Sequence, residues 1–394
     1  MAPVLYARLA GQELAGAVPD EVRNALAKYH ATTLARNVLL LSETESFCDR
    51  LHRHGIPVML LKGIALLQGV YPHPALRPMT DVDILVRKRD LAAARQVLAS
   101  ECGYRDAGIE SPSGEIVYGR ATLIKEGASS RLSRMLLEVH WDIVPLDYEW
   151  KGRRSPAREF WSGAEELRIG RSMAWTPNDA DHLCYIAMHN CVHCFDRLMG
   201  LMDVAYLLSR LATGAAQGQG GPELRIADCG LRIEKAASQS NPKSAIRNPK
   251  WIWDGLVRRA RQYGCRLDLF LNMALAHGMF GVSAPAEVLR ELAPVKWHAH
   301  LQAWLFTPEA IFDEKFSSDR RYLMRMLSAD HLRDALRLVA WSLFPSRTWL
   351  AHQAELRKVK GVKSKRIAYL LQLARHAGNK IAETVERLGK CLGR

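Results

Sequence analysis

The chain has no uninterrupted apolar stretch of about 18 residues, so no transmembrane helix is expected. Its opening residues, MAPVLYARLAGQELAG, lack the successive basic, apolar and small-residue regions of an export signal, which makes the cytoplasm the expected location. Gly-rich loops of the G-x-G-x-x-G and Walker types are absent, as is a G-x-S-x-G nucleophile turn. With them go the usual signatures of dinucleotide enzymes, P-loop NTPases and α/β-hydrolases. Excess positive charge is missing from most of the chain. The total of 55 Lys and Arg against 41 Asp and Glu gives +14, a balance typical of a polyanion binder. Yet residues 1–212 hold 25 of each sign and 263–340 hold 9 of each. The surplus lies in 213–262, with 9 basic against 4 acidic, and in 341–394, with 12 against 3. No interleaving of aromatic and basic residues in 1–212 resembles a nucleic-acid platform.

Apolar material, by contrast, is ample. With 48% hydrophobic and 24% charged residues over 394 positions, the chain can bury a substantial core and has room for two or three domains. Eight cysteines (48, 102, 184, 191, 194, 229, 265 and 391) are expected as reduced thiols. The periodicity predicts an N-terminal helical segment over 1–54, with apolar residues at three and four spacing from Pro19-Asp20 to Gly55. A mixed α/β layer follows over 55–150. It comprises a strand at 56–61, a brief helix, a strand at 81–86, a helix at 90–104 capped by Asp90 and stopped by Gly103, and strands at 115–124 and 134–144. Beyond Pro156 the pattern turns helical, with Thr176-Pro177 as a helix start, and helices fill 151–212 and 251–345. Between them, 213–250 is rich in Gly, Gln, Ser, Asn and Pro and repeats Asn-Pro-Lys at 241–243 and 248–250, which predicts a disordered insert. Residues 346–394 form a basic C-terminal helical segment. It suits either RNA, a membrane face, or packing on its own domain. The fold class expected is α+β: a mixed sheet with flanking helices, then an α-helical domain.

The sharpest chemical feature is Arg77-Pro-Met-Thr80-Asp81-Val-Asp83-Ile-Leu-Val. Aspartates at i and i+2 on a strand point to the same face, and two carboxylates that close require a compensating cation. Mg²⁺ prefers carboxylate and phosphate oxygens, and a third carboxylate would complete a site for two ions. Glu138, in MLLEVHWDI, is the natural third ligand, with Asp142 as its competitor. Upstream, Lys62-Gly63 sits at a strand-to-helix turn, where backbone N–H groups and a mobile ammonium suit a phosphate. In HNCVHCFDRL, His189, His193 and Arg197 recur every four residues and so share a helical face, either as packing or as a wall of the cleft. Zinc would need four converging ligands, and Cys191 and Cys194 leave that face. Asp203 is expected to pair with a basic residue.

Together these residues resemble the nucleotidyltransferase-fold proteins of the DNA polymerase β superfamily, in particular an uncharacterised bacterial branch with LKG and R-P-x-T-D-x-D-x-L-V motifs. The matching positions are Leu61-Lys62-Gly63, Arg77-Pro78, Thr80 to Val86, Gly103-Tyr104 and Glu138 to Trp141. Asp181 to Leu183, His189, His193, Arg197-Leu198 and Asp203 extend the match into the helical half. The likeness spans about 30–210 and, more loosely, 250–350. It implies a mixed-sheet catalytic domain in which Asp81, Asp83 and Glu138 bind two Mg²⁺ and carry catalysis. Lys62, Gly63, Arg77, Thr80, His189, His193 and Arg197 would contact a nucleoside triphosphate. Lys62-Gly63 stands where better-studied members carry Gly-Ser or Gly-Gly. The activity implied is transfer of a nucleoside monophosphate to a hydroxyl of an unidentified acceptor. Two other roles fit the same fold: a partner-dependent accessory protein of a biosynthetic or defence gene cluster, and an RNA- or tRNA-modifying toxin.

Overall fold

A computed structural model describes residues 2–10, 18–109, 111–129, 132–144, 155–195, 197–213, 249–294 and 326–356. After a short helix α1 (Ala2–Ala10), helix α2 runs from Asp20 to Arg53, about 50 Å at 1.5 Å per residue. Its buried positions, Thr33, Asn37, Leu40, Thr44, Phe47 and Leu51, recur at three or four, the stripe of an amphipathic helix. This stripe is also a strut. Asn37 Nδ2 donates to the carbonyls of Pro74 (2.6 Å) and Arg77 (2.8 Å), holding the loop that leads into the aspartates.

Strands β1 (Met59–Leu61), β2 (Asp81–Leu85), β3 (Arg105–Asp106), β4 (Arg120–Ser129), β5 (Leu132–His140), β6 (Glu165–Ile169) and β7 (Ser172–Thr176) form one mixed sheet in the order β3-β4-β5-β2-β1-β7-β6. β2 pairs parallel with β5 and antiparallel with β1, while β1 pairs parallel with β7. Met59, Leu60 and Leu61 are all buried, as are Val82 to Leu85, Asp83 among them, so these central strands are covered on both faces. Helix α3 (Lys62–Gly69) leaves β1 directly, and α4 (Leu91–Ser100) packs beside α2.

Four expectations need correction. The stretch at 115–124 is not one strand: Ser111 caps a helix α5 (Pro112–Tyr118) by accepting from the Gly114 N–H, and Gly119, at φ 63°, ends it before β4 begins. Pro at the first helical position and Gly just past the end are ordinary helix punctuation. Second, beyond Pro156 only a short helix α6 (Ala157–Ser162) precedes the hairpin β6–β7, so the sheet continues to Thr176. That hairpin turns on Gly170-Arg171, with Gly170 at φ 56° and Ile169 paired to Ser172, a two-residue loop that needs glycine first. Third, the next helix is capped by Asn178, which accepts from Asp181 N–H at 3.1 Å, and not by Thr176. Asp90 likewise precedes α4 but makes no capping hydrogen bond.

Helices α7 (Asp179–Val192), α8 (Leu198–Thr213), α9 (Pro249–Tyr263), α10 (Arg266–Phe280) and α11 (Ala286–Leu292) make the helical half. Asp181, fully buried, accepts from Arg259 Nη1 (2.8 Å) and the Tyr263 hydroxyl (2.6 Å), joining α7 to α9. Asn272 Nδ2 donates to the Ala187 carbonyl at 3.1 Å, and Asn190 donates to Asn272 at 2.8 Å, joining α7 to α10. A single apolar cluster contains Leu60, Ile84 and Leu137 of the sheet together with Leu183, Leu201 and Leu269 of the helices. The α+β class therefore stands, and sheet and helices share one core. Two further helices, Leu332–Leu343 and Arg347–Leu356, are described. His352 of the second meets the Tyr118 hydroxyl at 3.2 Å. Most of the expected 213–250 insert and of the basic C-terminus lies outside the described residues. Among the described residues no helix is long and apolar enough to cross a membrane.

Candidate active site

The expected site residues converge on one cavity of about 580 Å³. Lys62, Gly63, Arg77, Thr80, Asp81, Asp83, Glu138, His189, His193 and Arg197 all line it. The sheet register explains the floor. Asp83 lies opposite Glu138 across parallel β2 and β5, and Leu61 lies opposite Asp83 on the other side, which brings Lys62 to the carboxylates. Asp142 falls beyond the end of β5; its Oδ1 accepts the N–H groups of Ile143 (2.7 Å) and Val144 (3.3 Å) and bonds Ser155, closing a turn away from the cavity. Of the two competing third carboxylates, Glu138 is the one at the cavity.

The carboxylates arrive with their own cations. Lys62 Nζ donates to Asp83 Oδ1 at 2.8 Å, and Arg120 Nη1 donates to Glu138 Oε2 at 2.7 Å. His140 Nε2 lies 3.0 Å from Asp83 Oδ1 and 3.3 Å from Glu138 Oε2. Burial raises the Asp83 carboxyl, but Lys62 and His140 more than offset it and hold the group well below the usual carboxylate range. Burial also disfavours the Lys62 ammonium, yet Asp83 opposite keeps it raised above an ordinary lysine. Asp81, which accepts from the Thr80 hydroxyl at 3.1 Å, shifts the other way: burial, then the like charge of Asp83, raises it. Lys62 itself adopts φ 44°, in the left-handed region that side chains with a Cβ rarely occupy.

Two expected phosphate contacts have a different occupation. Arg77 donates from Nε (2.8 Å) and Nη2 (2.7 Å) to the two oxygens of Asp203, which also accepts from Tyr71. Asp203 does pair with a basic residue, and that residue is Arg77. Above Gly63 lies the Arg77 guanidinium: a Cβ there would fall on Nη1 and within 2.8 Å of Met79 Sδ. The glycine thus makes room for an arginine that braces the turn.

His189 and His193 meet across the last turn of α7, with ring centroids 4.4 Å apart and the His193 N–H donating to the His189 carbonyl at 3.0 Å, but the helix does not continue to Arg197. α7 ends at Val192, and Cys194 and Phe195 at φ 54° and 56° reverse the chain before α8, so Arg197 reaches the cavity from beyond the break. Burial, then Lys62 and His193, hold His189 neutral. Cys191 faces away, its sulfur 3.6 Å from Asn272 Nδ2.

Sequence reasoning assigned no role to Arg120 or His140. His140 is two residues past Glu138 and so on the same strand face, a signal of the same kind as the aspartate pair. Arg120 pairs in register with His140 across β4 and β5, a contact that only the fold reveals. Asp83, Glu138 and His140 together place three ligand atoms within 4.8 Å of one another, and that cluster is a candidate metal set.

A mixed sheet with acidic residues on adjacent central strands, opening on a cavity walled by helices, defines an enzyme of the nucleotidyltransferase class. A family model described as "uncharacterised nucleotidyltransferase" matches residues 1–218, more than half of the chain, and the protein belongs to that family. Every residue lining the cavity lies within the matched span. No curated relative matches the chain.

Proposed function

We propose that the protein transfers a nucleoside monophosphate from a nucleoside triphosphate to a hydroxyl group of an acceptor, with Mg²⁺ held by Asp81, Asp83 and Glu138. The pairing of Asp83 with Glu138 on the cavity floor carries the reading. The donor chemistry fits: three carboxylates supply the hard oxygens that Mg²⁺ takes, and a cavity of about 580 Å³ is of ligand size. When bound, the cation neutralises charge developing on the transferred and leaving phosphates and lowers the pKa of the attacking hydroxyl.

The remaining work falls to the chain itself. An acceptor oxygen forms a bond to the α-phosphorus as the bond to pyrophosphate breaks in line, and the hydroxyl proton passes to Glu138. Thr80 and Lys62 face the phosphates, while His189, His193 and Arg197, which line the same cavity, orient substrate. Positioning and charge neutralisation supply most of the acceleration in such transfers.

The test uses purified protein, Mg²⁺ and each of the four α-labelled triphosphates, with a cell extract as the acceptor source. Label should appear in an acceptor with one or more triphosphates, and Asp83→Asn should abolish it. Absence of both nucleotide binding and label transfer for all four sinks the proposal.

A further inference from the structure

Asp83 and Glu138 are folded into this site already neutralised by groups of the same chain. Lys62 places its ammonium 2.8 Å from Asp83 Oδ1, with 16% of the Lys62 side chain and 7% of the Asp83 side chain exposed. Two carboxylates facing each other across neighbouring strands would otherwise repel and lose their hydration without return. The cation at Asp83 therefore stands where a metal ligand's charge partner is required.

From this arrangement we infer that Lys62 is a resident placeholder for the metal, so that metal and triphosphate bind cooperatively and neither binds well alone. The inference rests on the proposed nucleotidyl transfer and adds to it an order of events. A divalent cation that takes Asp83 must displace the Lys62 ammonium. Among the described residues Lys62 has no second carboxylate in contact: Asp81 and Glu138 act on it only at longer range and are themselves metal ligands in the proposed reading, the Tyr185 ring lies 5.8 Å from Nζ, and His189 and His193 offer no negative charge. Metal alone thus strands a buried ammonium, which is costly. A triphosphate supplies the missing anion in the same cavity. Once metal has taken the carboxylate, Lys62 turns to the phosphate.

The coupling is a difference of binding free energies and is reciprocal: triphosphate tightens metal by the same factor as metal tightens triphosphate. Couplings of this kind are commonly about 5–150-fold. Removing the ammonium should remove the competitor and so raise the affinity for metal alone while erasing the coupling.

The experiment is titration calorimetry of Mn²⁺ into the full-length protein, with and without a triphosphate analogue whose α–β bridge cannot be cleaved. In the wild type, the analogue should tighten Mn²⁺ at least about tenfold, within the range of such couplings. Lys62→Met should bind Mn²⁺ alone at least about tenfold more tightly than wild type and gain less than about twofold from the analogue. Lys62→Arg, which keeps the charge, should resemble wild type in weak binding of metal alone. Because Lys62→Met leaves Asp83 buried without its cation, the melting temperature is followed as well: the variant should melt below wild type without metal and gain more from Mn²⁺ than wild type gains. If Lys62→Met binds Mn²⁺ alone no more tightly than wild type, the placeholder inference is overturned while the nucleotidyl-transfer proposal stands. If neither protein binds Mn²⁺ even with the analogue, the proposed function falls and takes the inference with it.

Discussion

Removing Asp203 tests whether Arg77 is a structural brace or a hand held out to the nucleotide. Asp203 accepts three hydrogen bonds, from Arg77 Nε (2.8 Å), Arg77 Nη2 (2.7 Å) and the Tyr71 hydroxyl (2.7 Å), and its side chain is 5% exposed against 12% for Arg77. Burial disfavours the guanidinium, and Asp203 more than restores it. In Asp203→Ala the charge stays buried without its partner, a defect that costs about 3–5 kcal/mol. That is a large part of the ~5–15 kcal/mol that holds a domain together. The measurement is urea unfolding followed by tryptophan fluorescence, read from the midpoint at constant slope. Replacing both partners, Arg77→Met with Asp203→Leu, removes the stranded charge and should recover all but about 1–2 kcal/mol of the loss, since apolar replacements of buried pairs are often neutral. A loss below about 1 kcal/mol for Asp203→Ala, or no recovery in the double variant, would refute the argument and return Arg77 to the nucleotide.

Three further outcomes follow from the same geometry. Gly63→Ala places a Cβ on the Arg77 guanidinium and beside Met79 Sδ; the overpacking should cost about 1–3 kcal/mol in the same unfolding assay, and an unchanged midpoint would show that Arg77 does not brace the turn. His182 is buried, its Nε2 has no hydrogen-bond partner among the described residues, and burial, then Arg77 and Arg210, push its pKa down to about 3. Below pH 6.5 the unfolded chain takes a proton that the folded chain refuses until about pH 3, so stability falls as pH is lowered through that window, by about 2 kcal/mol at pH 5. His182→Leu should flatten this part of the acid limb, and an identical limb in the variant counts against the assignment. Asp181→Ala strands Arg259 and the Tyr263 hydroxyl; it should loosen α9 from α7, seen as faster amide exchange in 249–263 with the sheet unaffected, and equal exchange in both proteins would contradict that linkage.

The aspartate pair was legible because it obeys the two-residue period of a strand, and Glu138 because its strand is apolar on either side. Both signals are local. What was illegible is pairwise and distant. A Lys-Gly turn before a helix makes Lys62 legible as a candidate phosphate ligand; that its ammonium also reaches a carboxylate is not legible, because it depends on Leu61 being in register with Asp83, 22 positions on. Arg77 and Asp203 are 126 residues apart, so that only their polarity could be read. The hairpin at 165–176 carries a strand alternation through Leu167, Ile169, Ala174 and Thr176, but each strand is only five residues long and abuts the helix-start signal Thr176-Pro177. The helical spacing accounts for His189 and His193, whose carbonyl and N–H close the last turn of α7, but not for Arg197, because the left-handed residues Cys194 and Phe195 end the helix before it.

The balance of charge over residues 1–212 acquires a physical meaning in the site. The sheet buries Asp83 beside Glu138, and an uncompensated pair there would work against folding. Lys62 and Arg120 solve this from within the chain, one from the start of α3 and one from the start of β4, each bonded to a different carboxylate. His140 bridges the two. In consequence, a cation taking both of these carboxylates would compete with two basic side chains. Asp81 is the carboxylate raised by burial and by Asp83, so it gains most from an arriving cation. In the proposed reading, Asp81, bonded among the described residues only to the Thr80 hydroxyl, is the carboxylate a cation can take without displacing a basic side chain.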